Sequence, residues 1–177
     1  MRILWLSIVF GSVAQSACYQ APLDNTGALD QKIRVAYLKA VAGIDAPTIT
    51  ADTVLAGFQT GRFILVDVRE GKERAVSQIP GALSPGEFTQ AYALSGPPQD
   101  KTVVVYCTIG YRSGKFAEKL IAQGVPVHNL EGGILAWASR HGPLVKRDAM
   151  GITALTTQLH VYGKEWDLVP TGYQSVW

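Results

Sequence analysis

Near the middle of the chain, Cys107-Thr108-Ile109-Gly110-Tyr111-Arg112-Ser113 combines residue types and spacing that could do chemistry. The thiolate, not the thiol, is the nucleophilic form of cysteine. Backbone N–H groups converging on a sulfur favour that charged form, and Gly110 lets the chain turn sharply enough to aim successive N–H groups inward as an anion-binding nest. Arg112 adds a positive charge on the rim of such a cup. The chemistry that fits is attack by the Cys107 sulfur on a small anion, with Thr108, Ile109, Gly110, Tyr111 and Ser113 around it. A cysteine ending an apolar run is otherwise most simply a buried structural residue. The spacing of Gly110 and Arg112 favours the nucleophile.

Such a loop needs a strand before it and a helix after it. Val103 to Tyr106 is a β-branched and aromatic run, suited to a strand buried on both faces. Ser113 is an expected N-cap, with Phe116, Ala117, Leu120 and Ile121 following at helical spacing. Cys107 then stands at the carboxyl end of a strand, the edge where open parallel sheets bind ligands. Around this unit the pattern predicts a helix over 51–57, a strand over 63–67, a short strand leading on from 81–84, a helix over 87–94 and a last parallel strand over 125–130. Gly132-Gly133 opens a helix carrying Trp137, a core residue in this reading, and the charged run from Glu70 to Arg74 reads as a solvated helix face.

The loop Cys107 to Ser113 resembles the active-site loop of the rhodanese sulfurtransferases. Three flanking segments are similar to the family's other landmarks, in the family's order: Leu65-Val66-Asp67-Val68-Arg69-Glu70, Ile79-Pro80-Gly81-Ala82 and Leu130-Glu131-Gly132-Gly133-Ile134-Leu135-Ala136-Trp137. Gln78 stands where the family usually has a structural histidine. The resemblance covers roughly residues 48–142. It implies a single rhodanese-like domain with a three-layer α/β fold, a central parallel sheet flanked by helices. It also implies transfer of sulfane sulfur from an anionic donor such as thiosulfate or a persulfide to cyanide or a thiol, through a persulfide on Cys107 and with no cofactor. Arg112 would hold the donor's anionic end, and Asp67 and Arg69 would support the loop from behind. The six residues from Cys107 to Arg112 match the sulfurtransferase loop, whereas cysteine phosphatases and arsenate reductases of the same fold carry one residue more. A noncatalytic sulfur-carrying or protein-binding module is the other alternative.

The 177 residues carry 16 Lys and Arg against 14 Asp and Glu, a balance that implies no nucleic-acid partner. Residues 1–18 read as a secretory signal: Arg2, an apolar run from Ile3 to Phe10, then small residues. Cleavage after Ala14 and lipoprotein-type processing before Cys18 are both open, the second making Cys18 a lipidated membrane anchor. The expected location is outside the cytoplasm, most simply a bacterial periplasm, and the expected state is a monomer. No Cys and His spacing fits a metal site. Residues 19–47 hold a tether and an amphipathic helix, with Leu29, Ile33, Ala36, Tyr37, Ala40 and Val41 on one face, most simply packed on its own domain. Residues 143–177 form an aromatic extension, in which Thr153 to Tyr162 predicts one strand with Leu155, Thr157, Leu159 and Val161 on one face. Packing that shapes the pocket's mouth is favoured for it over docking of a partner.

Overall fold

The computed structural model of the chain describes residues 26–148 and 150–177. The expected signal, its cleavage point and Cys18 lie outside the described residues. Helix α1 (Thr26–Ala40) precedes strand β1 (Thr48–Ile49) and helix α2 (Ala51–Gly57). Strand β2 (Phe63–Asp67) is followed by α3 (Gly71–Val76) and α4 (Pro85–Tyr92), then β3 (Thr102–Tyr106), α5 (Tyr111–Ala122), β4 (Val127–Leu130) and α6 (Gly133–Ser139). The four strands form one sheet in the order β1-β4-β3-β2, every pair parallel. Each boundary has a local cause. Pro126 has no N–H to give, so β4 begins two residues later than a strand over 125–130 would. Ser84 and Glu87 form a reciprocal capping box with Pro85 in the first turn, which starts α4 two residues before Glu87. The strand expected to follow 81–84 is reduced to a single bridge between Leu83 and Val66.

Alternation along β3 builds the three layers. Val103 and Val105 face one side of the sheet and pack with Phe88 of α4 and with Ala117 and Leu120 of α5. Val104 and Tyr106 face the other side, against Val54 of α2 and Ile134, Leu135 and Trp137 of α6. Trp137 is completely buried, its indole N–H donates to the Pro143 carbonyl at 2.9 Å, and Phe58 meets it edge-on at 5.1 Å. The second core extends beyond 48–142. Ile33 and Tyr37 of α1 are buried in it, as are Leu144, Leu159 and Val161 from the C-terminal segment.

That segment departs from the expected single strand over 153–162. Strand β5 (Val145–Arg147) pairs antiparallel with β6 (Thr153–Leu155), while β7 (Gln158–His160) pairs in parallel with β8 (Gln174–Val176) in a separate sheet. The chain redirects at Thr156, whose N–H bonds the Leu144 carbonyl and whose hydroxyl accepts from the Gln158 N–H. Leu155 is consequently 80% exposed, while Leu159 and Val161 are buried. No helix among the described residues is long and apolar enough to cross a membrane.

Candidate active site

Cys107 lies just beyond the end of β3, and the Gly110 N–H donates to its Sγ at 3.1 Å. Gly110 has φ +123°, open to glycine alone, and a Cβ there would stand 2.6 Å from the Tyr37 ring of α1. This turn starts α5 at Tyr111, two residues before the expected cap at Ser113. The first-turn N–H groups of a helix lack intrahelical acceptors, and α5 begins one residue after the Gly110 N–H that reaches the sulfur. Ser113 is instead buried and holds the loop from beneath: its hydroxyl donates to Asn129 Oδ1 at 2.7 Å, and Asn129 Nδ2 donates to the Gly110 carbonyl at 2.9 Å.

The glycine pair before α6 works through close approach. The Ile134 N–H donates to the Cys107 carbonyl and the Leu135 N–H to the Thr108 carbonyl. A Cβ on Gly133, whose φ is +55°, would lie 2.4 Å from the Cys107 carbonyl oxygen. The helix that carries Trp137 can therefore clamp the nucleophile's own backbone only with glycine at its start.

Two charged clusters support the loop. Arg69 and Asp67 pair at 2.7 Å with both side chains buried, and Arg69 also donates to the Ser77 carbonyl. Burial works against the Arg69 charge, but Asp67 outweighs it and holds the guanidinium protonated. The fully buried Tyr106 hydroxyl, accepting from the Ile79 N–H at 3.1 Å, is pushed well above the usual phenol range, chiefly by burial and then by Asp67.

The second cluster differs from a solvated face over 70–74. Glu73 is completely buried and receives Arg112 in a fork, at 2.6 and 2.8 Å, with Arg112 also reaching the Thr108 hydroxyl at 3.2 Å. Burial pushes the Glu73 carboxyl up, but the Arg112 bonds, the Glu70 N–H and the Arg69 charge outweigh it and hold the carboxyl below its usual range. Arg112 is held above its ordinary value, first by Glu73 and further by Cys107 against its own burial. The positive charge at the rim is thus already paired, because α3 folds its third residue inward rather than toward water.

His160 of β7, which the sequence pattern does not single out, lies 3.9 Å from Glu73 Oε1 and accepts the Tyr162 N–H on Nδ1 at 3.1 Å. Burial lowers its pKa, and Glu73 offsets only part of that. Tyr162 has φ +69°, unusual for a bulky residue, and its ring covers the Arg112 guanidinium at 4.9 Å. Above Cys107 opens a cavity of about 650 Å³, walled by Ala36 and Ala40 of α1, by Ile109 and by Tyr162 and Trp166.

A parallel sheet ending in a cysteine loop of this geometry agrees with comparison to known proteins. The family model for the rhodanese-like domain matches residues 50–140. The chain belongs to the rhodanese-like family. A sulfurtransferase of Allochromatium vinosum is 44% identical over 84 residues, covering 46% of this chain and 78% of that protein. A probable adenylyltransferase/sulfurtransferase, MoeZ, of Mycobacterium tuberculosis is 35% identical over 101 residues, 54% of this chain but only 26% of that protein. The solved thiosulfate sulfurtransferase of Pseudomonas aeruginosa superposes with a TM-score of 0.53 at 23% identity, over 64% of this chain and 23% of that one, and shows the shared fold. Rhodanese-like relatives also include a tRNA uridine(34) hydroxylase of Bdellovibrio bacteriovorus, 32% identical over 85 residues. The matched span holds Cys107, Arg112, Glu73 and the two clamping glycines; Ala36, Ala40, Tyr162 and Trp166 fall outside it.

Proposed function

We propose that this chain is a sulfurtransferase that moves sulfane sulfur from an anionic donor such as thiosulfate or a persulfide to a nucleophilic acceptor, a thiol or cyanide, through a persulfide on Cys107. The observation that carries this reading is the Gly110 N–H at 3.1 Å from Cys107 Sγ on the floor of an accessible cavity. In the first step the Cys107 thiolate attacks the donor's outer sulfur. The donor's S–S bond breaks, and its electron pair leaves with sulfite when the donor is thiosulfate. In the second step the acceptor attacks the outer sulfur, and the pair of the new S–S bond returns to Cys107. Donors converging on the loop stabilise negative charge on either sulfur, and Ser113, Asn129 and Gly133 keep them in place. Arg112 adds positive field to the anionic site, tempered by Glu73.

In the same reading the protein is a monomer acting outside the cytoplasm, with residues 1–18 as the export signal, removed either by cleavage after Ala14 or by processing that leaves a lipid on Cys18. Composition supports no nucleic-acid partner. The central experiment is mass spectrometry of the Cys107 peptide after exposure to thiosulfate or inorganic polysulfide, then to cyanide. A gain of one sulfur atom, its loss on cyanide addition with thiocyanate released, and no gain in Cys107→Ser is the expected result. A folded, reduced protein whose Cys107 takes up no sulfur from either donor overturns the reading. Fractionation of cells producing the full chain, with and without residues 1–18, tests export; equal cytoplasmic retention of both would overturn it.

A further inference from the structure

The cavity above Cys107 is far larger than cyanide needs. A water molecule's share of liquid volume is about 30 Å³, whereas this cavity measures about 650 Å³, within the range of pockets that enclose organic ligands. Its walls near the sulfur are the methyls of Ala36 and Ala40, the Ile109 side chain and the ring of Trp166. The nearby guanidinium of Arg112 is forked onto Glu73 and roofed by Tyr162. Lys39 and Glu165, both exposed and of opposite sign, stand at the rim and give it no net charge. A small anionic donor finds a nearby cation, Arg112, beside the sulfur, and the rest of the cleft is apolar surface that an uncharged chain of several carbons can cover.

Tyr162 adopts the left-handed backbone region at φ +69°, a conformation that costs a bulky residue free energy. Its N–H bond to His160 Nδ1 and its ring against Arg112 maintain it there. The strain places an aromatic ring opposite α1 across the opening. Both walls come from segments outside residues 50–140, so the enclosure belongs to this chain's own additions.

We infer that the acceptor is a small organic thiol with an uncharged, apolar body that lies in this cleft between α1 and the Tyr162–Trp166 wall. The inference rests on the sulfur-transfer reading above. The acceptor thiolate attacks the outer sulfur of the Cys107 persulfide, the Cys107 S–S bond breaks, and its electron pair returns to Sγ as thiolate. The proton lost by the thiol ends on the departing organic persulfide, and no other reactant is consumed. Alignment of the acceptor body along the cleft, rather than thiol basicity, then sets the rate.

The test uses full-length protein loaded with inorganic polysulfide, followed by single-turnover discharge to mercaptoethanol, mercaptobutanol and mercaptohexanol, neutral thiols whose rate constants are expressed per thiolate so that their differing acidity drops out. Fully buried, each methylene raises the second-order rate constant about three- to fourfold, so the longest thiol should exceed the shortest at least tenfold. Ala40→Leu, which fills the cleft, and Trp166→Ala, which removes one wall, should each cut that ratio at least threefold. The extent of Cys107 loading reports that each variant is folded. Equal rate constants across the series, or a ratio unchanged in both loaded variants, would overturn the inference and leave sulfur transfer standing. Failure of the unsubstituted protein to load would instead overturn the underlying reading.

Discussion

Replacing Glu73 with glutamine keeps the side chain's shape and removes its charge. Glutamine offers one acceptor oxygen, so one of the two Arg112 bonds, now at 2.6 and 2.8 Å, is lost and an amide N–H is turned toward a guanidinium. A hydrogen bond to a charged group contributes about 1.5–3 kcal/mol, and breaking a buried pair by removing one partner costs about 3–5 kcal/mol. Glu73 is fully buried, but 29% of the Arg112 side chain remains exposed and water recovers part of the loss. The expected destabilisation is therefore about 2–3 kcal/mol, a fall in Tm of about 4–12 °C for a domain of this size. Thermal unfolding near neutral pH measures it, and a cycle with Arg112→Met should return a coupling of about 2 kcal/mol between the two sites. The sign of the pH dependence is fixed by the lowered Glu73 carboxyl. Its contribution is complete above the unfolded carboxylate value of about 4.3 and disappears as pH falls through the lower folded value. The gap between the two proteins should thus close only in acid. A Tm change under about 2 °C, or an additive cycle, would refute the idea that this pair anchors the loop.

Gly133→Ala should lower Tm by more than about 6 °C and block sulfur loading, because its methyl would meet the Cys107 carbonyl; normal loading at wild-type Tm would contradict the clamp. Ser113→Ala strands Asn129 Oδ1 and should cost about 1–3 kcal/mol while slowing persulfide discharge, measurable by unfolding and single-turnover kinetics. The lowered pKa of His160 means that the unfolded chain binds its proton first as pH falls. Its contribution is complete above about pH 6.5 and declines as pH falls from there toward the folded value; His160→Asn should flatten this slope in Tm against pH, and an unchanged slope would assign it elsewhere.

The sheet was legible because its signals are local. The apolar run 103–106, the glycines and the cysteine loop each specify a conformation within a few residues. Residues 70–74 have the pattern of a solvated face because four of the five are charged, and the burial of Glu73 depends on Arg112, 39 residues away. Ser113 had the chemistry of a cap, yet the positive φ of Gly110 had already started the helix. The strand over 153–162 failed at Thr156 and Thr157, which fit alternation but sit where the chain changes partners from one small sheet to another. His160 and Tyr162 carry no motif; their place beside Arg112 follows from the return of β7 to the domain, a contact that local periodicity does not encode.

Because Ile33, Tyr37, Leu159 and Val161 share one core with Trp137, the segments that enclose the nucleophile also hold up the fold. Natural variation in acceptor preference would have to arise in residues whose replacement is felt in abundance as well as in selectivity. Drift toward a wider or narrower cleft is then gated by how much stability the sheet holds in reserve, and descendants with new acceptors should carry compensating changes on the far face, around Phe88 and Leu120, where no cleft residue would be disturbed.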